Sequence, residues 1–197
     1  MTLLVTWNVN EPETETFRSQ EKEAIAQQLS KLGVSFDQWA TKELPEDADQ
    51  EAVLAAYEAE VEELKKEHNF VTVDVAKLKN TGQPNFAETA AGAREKFLDE
   101  HTHSDDEVRF FVDGRGTFYL HLEDTVHAIV CEGGDLVSVP KGATHWFDMG
   151  TENPDFTAIR FFHDGEGWVG DFTEEKLEGE PISTKFATHD ALVASMS

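Results

Sequence analysis

The chain has 197 residues, 39% hydrophobic and 10% aromatic with 14 Phe, which is enough for one domain with a bulky core. Its 40 acidic residues against 16 basic ones give a formal net charge of −24. Such a surface repels phosphate backbones and anionic headgroups, so neither nucleic acid nor a membrane is expected as a partner.

One cysteine, Cys131, leaves no partner for an intrachain disulfide and no multi-cysteine zinc site; inside Ile129-Val130-Cys131 it reads as a small buried hydrophobe. Met1 to Val5 lacks the basic region and cleavage signal of a leader. No run approaches the roughly 18 apolar residues of a membrane span. A soluble cytoplasmic protein is expected, acting as a monomer.

In chain order, Thr2 to Trp7 reads as a short strand. From about Thr16 to Leu32 the pattern is helical, with Ile25, Leu29 and Leu32 on one side and Gly33 as a stop. A second helix starts after Pro45 and carries a stripe of Val53, Leu54, Tyr57, Val61 and Leu64. Much of the excess acid falls on the outer faces of these two helices. Phe70 to Leu78 alternates as a strand. A third helix is expected from Pro84, near its first turn, to about Phe97.

After His101 the character becomes all-β, with Gly114, Gly116, Gly133-Gly134, Pro140 and Gly142 punctuating short strands as in a sandwich or barrel. Val108, Phe110 and Val112 form an apolar face suited to cover by helices. Arg109, Phe111 and Asp113 would face the interior. There is no internal repeat. A single domain over 1–197 is expected: a strand and helical layer at 1–98, a barrel core at 99–170 and an extension at 171–197.

The chemistry concentrates in Glu100-His-Thr-His-Ser-Asp-Asp-Glu107 and a distant His145. His101 and His103 share strand parity, and Glu107 rejoins them if the intervening turn keeps register. Three imidazoles and a carboxylate suit iron, nickel, manganese or cobalt in an octahedral sphere, with two positions left open. His121 and His127 flank an expected hairpin at Glu123-Asp124 and read as exposed or structural. His68, His163 and His189 join no constellation.

His-x-His-x3-Glu-x6-Gly (His101 to Gly114) and Gly-x5-Pro-x-Gly-x2-His (Gly134 to His145) resemble the two motifs of the cupin superfamily. Glu95 and Met149 stand where many members have Gly and Asn, and neither is a ligand position. The flanking Glu-Val-Arg-Phe after His103, Val-Pro-Lys-Gly-x-x-His-Trp-Phe-Asp-Met at 139–149 and Arg-Phe-Phe-His-Asp-x-x-Gly-Trp at 160–168 narrow the likeness. They resemble the acireductone dioxygenase family.

That resemblance implies a mainly β fold with accessory helices: a cupin-type jelly-roll barrel preceded by an N-terminal strand and helices. It implies one Fe2+ or Ni2+ per chain on His101, His103, Glu107 and His145. The substrates would be O2 and an enediol of methionine salvage, with products that depend on the ion. Arg109 would supply a fixed cation beside the ion, with Phe147 against substrate and Trp168 closing over its methylthio tail. Glu100 and Asp106, of opposite parity, would stand behind the ligands. The same quartet also fits another metal-dependent cupin dioxygenase or isomerase, or a non-catalytic ligand-binding cupin.

Overall fold

The computed structural model describes residues 1–165, 169–173 and 176–196. The chain opens with strands β1 (Leu3–Asn8) and β2 (Glu15–Ser19), then helix α1 (Lys22–Ser30) and strand β3 (Ser35–Gln38). Helices α2 (Gln50–Ala56) and α3 (Glu58–His68), strand β4 (Thr72–Leu78) and helix α4 (Phe86–Leu98) follow. The β half comprises β5 (His101–Thr102), β6 (Glu107–Leu122), β7 (Thr125–Glu132), β8 (Asp135–Val139), β9 (Thr144–Asp148) and β10 (Phe156–Phe162). Short strands β11 (Asp171–Phe172), β12 (Lys176–Leu177) and β13 (Glu180–Pro181) lead to helix α5 (His189–Ala194).

Two expectations for the N-terminal half need correction. The helix expected from Thr16 begins only at Lys22, because residues 15–19 pair with β1 as a strand. Thr16, Phe17 and Ser19 gain more from that ladder than from an extra helical turn. The second helix is two. Asp49 caps the first through Ala52 N–H at 2.9 Å, and Tyr57 leaves helical geometry at φ −105°, ψ 20°. The Tyr57 hydroxyl there accepts from Lys42 N–H at 2.8 Å, so a tertiary contact interrupts a continuous apolar stripe. Pro84 lies near the first turn of the third helix as expected, two residues before Phe86.

Strand β6 organises the fold. Its first half pairs with β8 and β10, and its second half with β7 and β9, so one strand belongs to two sheets. The first sheet runs β11-β5-β9-β6-β7-β1-β2, and the second β4-β10-β6-β8-β3. The ladder among the described residues therefore leaves strand edges instead of closing into a continuous barrel. Inward side chains of both sheets (Leu4, Phe111, Phe118, Ile129, Val137, Phe147 and Ala158) meet in one buried cluster.

The outer faces are covered differently. Val108, Phe110 and Val112 pack beneath Val53, Tyr57 and Val61 of the helices, as the alternation predicts. On the other sheet Tyr119 stacks on Trp146 at 5.0 Å, and Ile182, Phe186 and Leu192 cover that layer. Cys131 is fully buried, and burial raises its thiol pKa well above the usual value.

The bend in β6 depends on Gly114, whose φ is +71°; a Cβ built there would lie 2.1 Å from the Asp155 carbonyl oxygen. Both strain and a backbone clash oppose any side chain. Gly114→Ala should therefore lose about 2 kcal/mol or more of stability, read as a lowered urea midpoint with unchanged slope. An unshifted midpoint would show that β6 can bend elsewhere.

Candidate metal centre

Three separate pieces of chain deliver the four predicted donors. His101 lies on β5 and pairs directly with His145 of β9. His103 follows β5, and Glu107 opens β6. The turn between them is tied to the turn that feeds His145: Gly142 N–H donates to the His103 carbonyl, and Lys141 N–H to Asp106 Oδ1, both at 2.9 Å. Gly142 has φ +77°, which explains glycine at that turn. The donor atoms of His101, His103, Glu107 and His145 lie within 4.8 Å of one another, and all four residues are buried.

The ring orientations are set by backbone. Nδ1 of His101 lies 2.6 Å from the Asp99 carbonyl oxygen, that of His103 2.5 Å from Val169, and that of His145 2.8 Å from Ala143. A carbonyl only accepts, so each Nδ1 carries a proton and each ring turns its Nε2 inward. Nε2 of His103 and His145 lie 2.7 and 2.9 Å from Glu107 Oε2. Positive charge must sit between those nitrogens and the carboxylate, as a second ring proton or as a bound cation. The donor set therefore fits a divalent cation, with carbonyl-oriented imidazoles of the kind that metal sites use.

The protonation balance reflects the same crowding. Burial, reinforced by the neighbouring His145, pulls the His101 pKa down to about 4. Burial also opposes charge on His103, but the Glu107 carboxylate outweighs it and raises that pKa. Burial would raise Glu107; Arg109, His103 and His145 together hold it well below the ordinary range.

Arg109 is 3% exposed and pairs with Glu107. Its guanidinium lies 5.0 Å from the Phe118 ring and 4.8 Å from the Phe147 ring, and its buried Nε has no hydrogen-bond partner among the described residues. Burial lowers its pKa, yet a guanidinium remains charged. Phe147 faces inward and Trp146 outward, as parity predicts. Arg160 stands directly opposite Arg109 in the ladder, neutralised by Asp74 at 2.7 and 2.8 Å.

Glu100 is buried with its carboxylate 2.7 Å from His121 Nδ1 and 2.8 Å from the Thr173 hydroxyl. Asp106 joins the two motif turns. The Trp168 expectation lies outside the described residues. The His121–Glu100 link needs the β6–β9 register that places His121 opposite Thr144, a long-range pairing that local sequence does not encode. His127 is also not exposed. It is 3% exposed, on the inward face opposite Leu120, with neither ring nitrogen partnered among the described residues.

Residues 6–170 match the ARD/ARD' family. The acireductone dioxygenase of Saccharopolyspora erythraea is 49% identical over 99% of this chain and 100% of its own length. Acireductone dioxygenase 1 of Nocardia farcinica is 50% identical over 98% and 100%. Among solved structures, an acireductone dioxygenase from Bacillus anthracis, described with a cadmium ion in its active centre, superposes with a TM-score of 0.72. It is 30% identical, covering 87% of this chain and 98% of that one.

Burial lowers the His127 pKa to about 4, against 6.5 for a free imidazole. Below pH 6.5 the unfolded chain takes a proton that the folded chain refuses until about pH 4. Stability should thus fall as pH falls through this window, by about 3 kcal/mol from this ring. His127→Leu should remove that share, seen as a widening stability advantage over the parent between pH 6.5 and 4 in urea titrations. A constant difference across the window would mean that the ring has a proton-bonding partner.

Proposed function

This chain belongs to the ARD/ARD' family, and on that premise we propose that it cleaves 1,2-dihydroxy-3-keto-5-methylthiopentene with O2 in methionine salvage. The ligands would be His101, His103, Glu107 and His145, and the resident ion Fe2+ or Ni2+. The iron form would yield formate and 4-methylthio-2-oxobutanoate; the nickel form would yield formate, carbon monoxide and 3-methylthiopropanoate. The observation that carries the reading is the convergence of three inward Nε2 atoms on a buried carboxylate with a buried arginine beside it.

The bound ion would supply Lewis acidity toward the enediol oxygens and an open path for O2. This chain's residues do the rest. The carbonyls of Asp99, Val169 and Ala143 hold a proton on each Nδ1, so Nε2 is the nitrogen each imidazole offers the ion. Glu107 stays ionised and offsets the ion's charge. Arg109, wedged between Phe118 and Phe147, would hold its cation against an ionised enediol oxygen, with the unpartnered Nε as a free donor. Water is excluded there, so that stabilisation is stronger than in solution. Phe147 would also pack against substrate.

Replacing His101 or His145 with Ala should abolish tight metal binding and turnover together, checked by elemental analysis of purified protein; full metal content in both variants would refute the ligand assignment. Arg109→Lys should keep the metal and turn over poorly, because a point charge lacks the planar fork. Arg109→Ala should lose about two to three orders of magnitude in kcat. Normal turnover at pH 7 would reduce Arg109 to a structural ion pair.

Apoprotein reloaded separately with Fe2+ and Ni2+ and given a desthio enediol in air should yield different carbon fragments, with carbon monoxide from the nickel form alone. Identical product mixtures would favour a cupin enzyme of another class.

A further inference from the structure

His163 makes contacts that the reaction leaves unexplained. It directly follows β10. Its backbone N–H donates to Asp105 Oδ2 at 2.7 Å, its ring Nδ1 lies 2.5 Å from Asp105 Oδ1, and its Nε2 lies 3.1 Å from the His68 carbonyl oxygen. An ionised carboxylate and a carbonyl both only accept, so both ring nitrogens must bear protons and the ring is an imidazolium. Phe70 flanks it with ring centroids 4.5 Å apart.

The charged groups around it agree with that state. Asp105 and Asp106 face it from the turn, while the end of α3 presents the His68 carbonyl, the His68 ring itself being 3.9 Å from Glu67. Burial opposes the charge slightly, and Asp105 outweighs it, raising the His163 pKa above its ordinary value.

Asp105 is the centre of the three-residue turn separating His103 from Glu107. That turn is held from two sides. Asp106 receives Lys141 N–H from the turn before His145, and Asp105 receives two donors from His163 while also accepting from Asp106 N–H at 2.8 Å. Ser104, Asp105 and Asp106 must keep the register that aims Glu107 back at the imidazoles, and a bare turn has no apolar contact to do so. We infer that His163 is a positioning residue for the metal centre. Through Asp105 it anchors the 104–106 turn, so that His103 and Glu107 converge on one ion. This rests on the reading of the quartet as ligands.

The His163 side chain is 36% exposed, so its ion pair should add little to global stability. Its effect should fall on the ion instead. With Ni2+ as probe, chelator competition on full-length His163→Gln and Asp105→Asn should show affinity weakened about tenfold, the lower end for residues that orient ligands. Urea midpoints should stay near the parent value. The double variant should be no weaker than either single one, because both act through one contact.

In the unsubstituted apoprotein, the His163 ring resonance should titrate above pH 6.5. Affinities within twofold of the parent in both variants, or a titration at or below 6.5, would overturn the inference; the latter measurement decides the matter even if a variant fails to fold. Failure of the parent itself to bind Ni2+ would instead overturn the ligand reading beneath it.

Discussion

Everything at the centre of this molecule depends on one electrostatic arrangement. Three imidazoles donate their Nδ1–H groups to backbone carbonyls and thereby turn their Nε2 atoms toward a buried, ionised Glu107. Such an assembly is self-repelling without a positive charge within it. The protein supplies part of that charge permanently, as Arg109, and the four donors converge where a cation could supply the rest. Burial strengthens both the repulsion and its relief, because the same charges in water would be screened.

The scaffold meets this demand with stiffness. The four candidate donors come from β5 and the turn after it, the start of β6, and β9, elements joined by direct pairing of His101 with His145 and by the bonds between the 104–106 and 140–142 turns. Strand β6 carries Glu107 and Arg109 on the second sheet and Phe118 on the first. Its bend at Gly114 is what folds the guanidinium against an aromatic ring from the same strand. Gly116 leaves room for Phe147, whose ring would lie 2.2 Å from a Cβ there.

Charge is segregated between outside and inside. The surface carries the acid behind the net charge of −24, whereas the interior places Arg109 directly opposite Arg160 in one ladder. Two like charges in that position repel, and Glu107 and Asp74 each take one of them. The cation that faces the candidate reaction space is therefore not a byproduct of composition. It persists in a chain where acidic residues outnumber basic ones more than twofold.

The residues by themselves determined the quartet, the parity that turns Arg109 and Phe147 inward and Trp146 outward, and the cover of Val108, Phe110 and Val112 by helices. These follow from period-two alternation and local spacing, which short-range geometry enforces. Tertiary structure decided the rest. Residues 15–19 became a strand because β1 offered a ladder, and Tyr57 split a helix because its hydroxyl met Lys42 N–H. His121, His127 and His163 read alike as stray histidines. One meets Glu100, one lies buried without a partner among the described residues, and one clamps Asp105. Those differences depend on which strand lies beside which, a long-range register that no local pattern encodes.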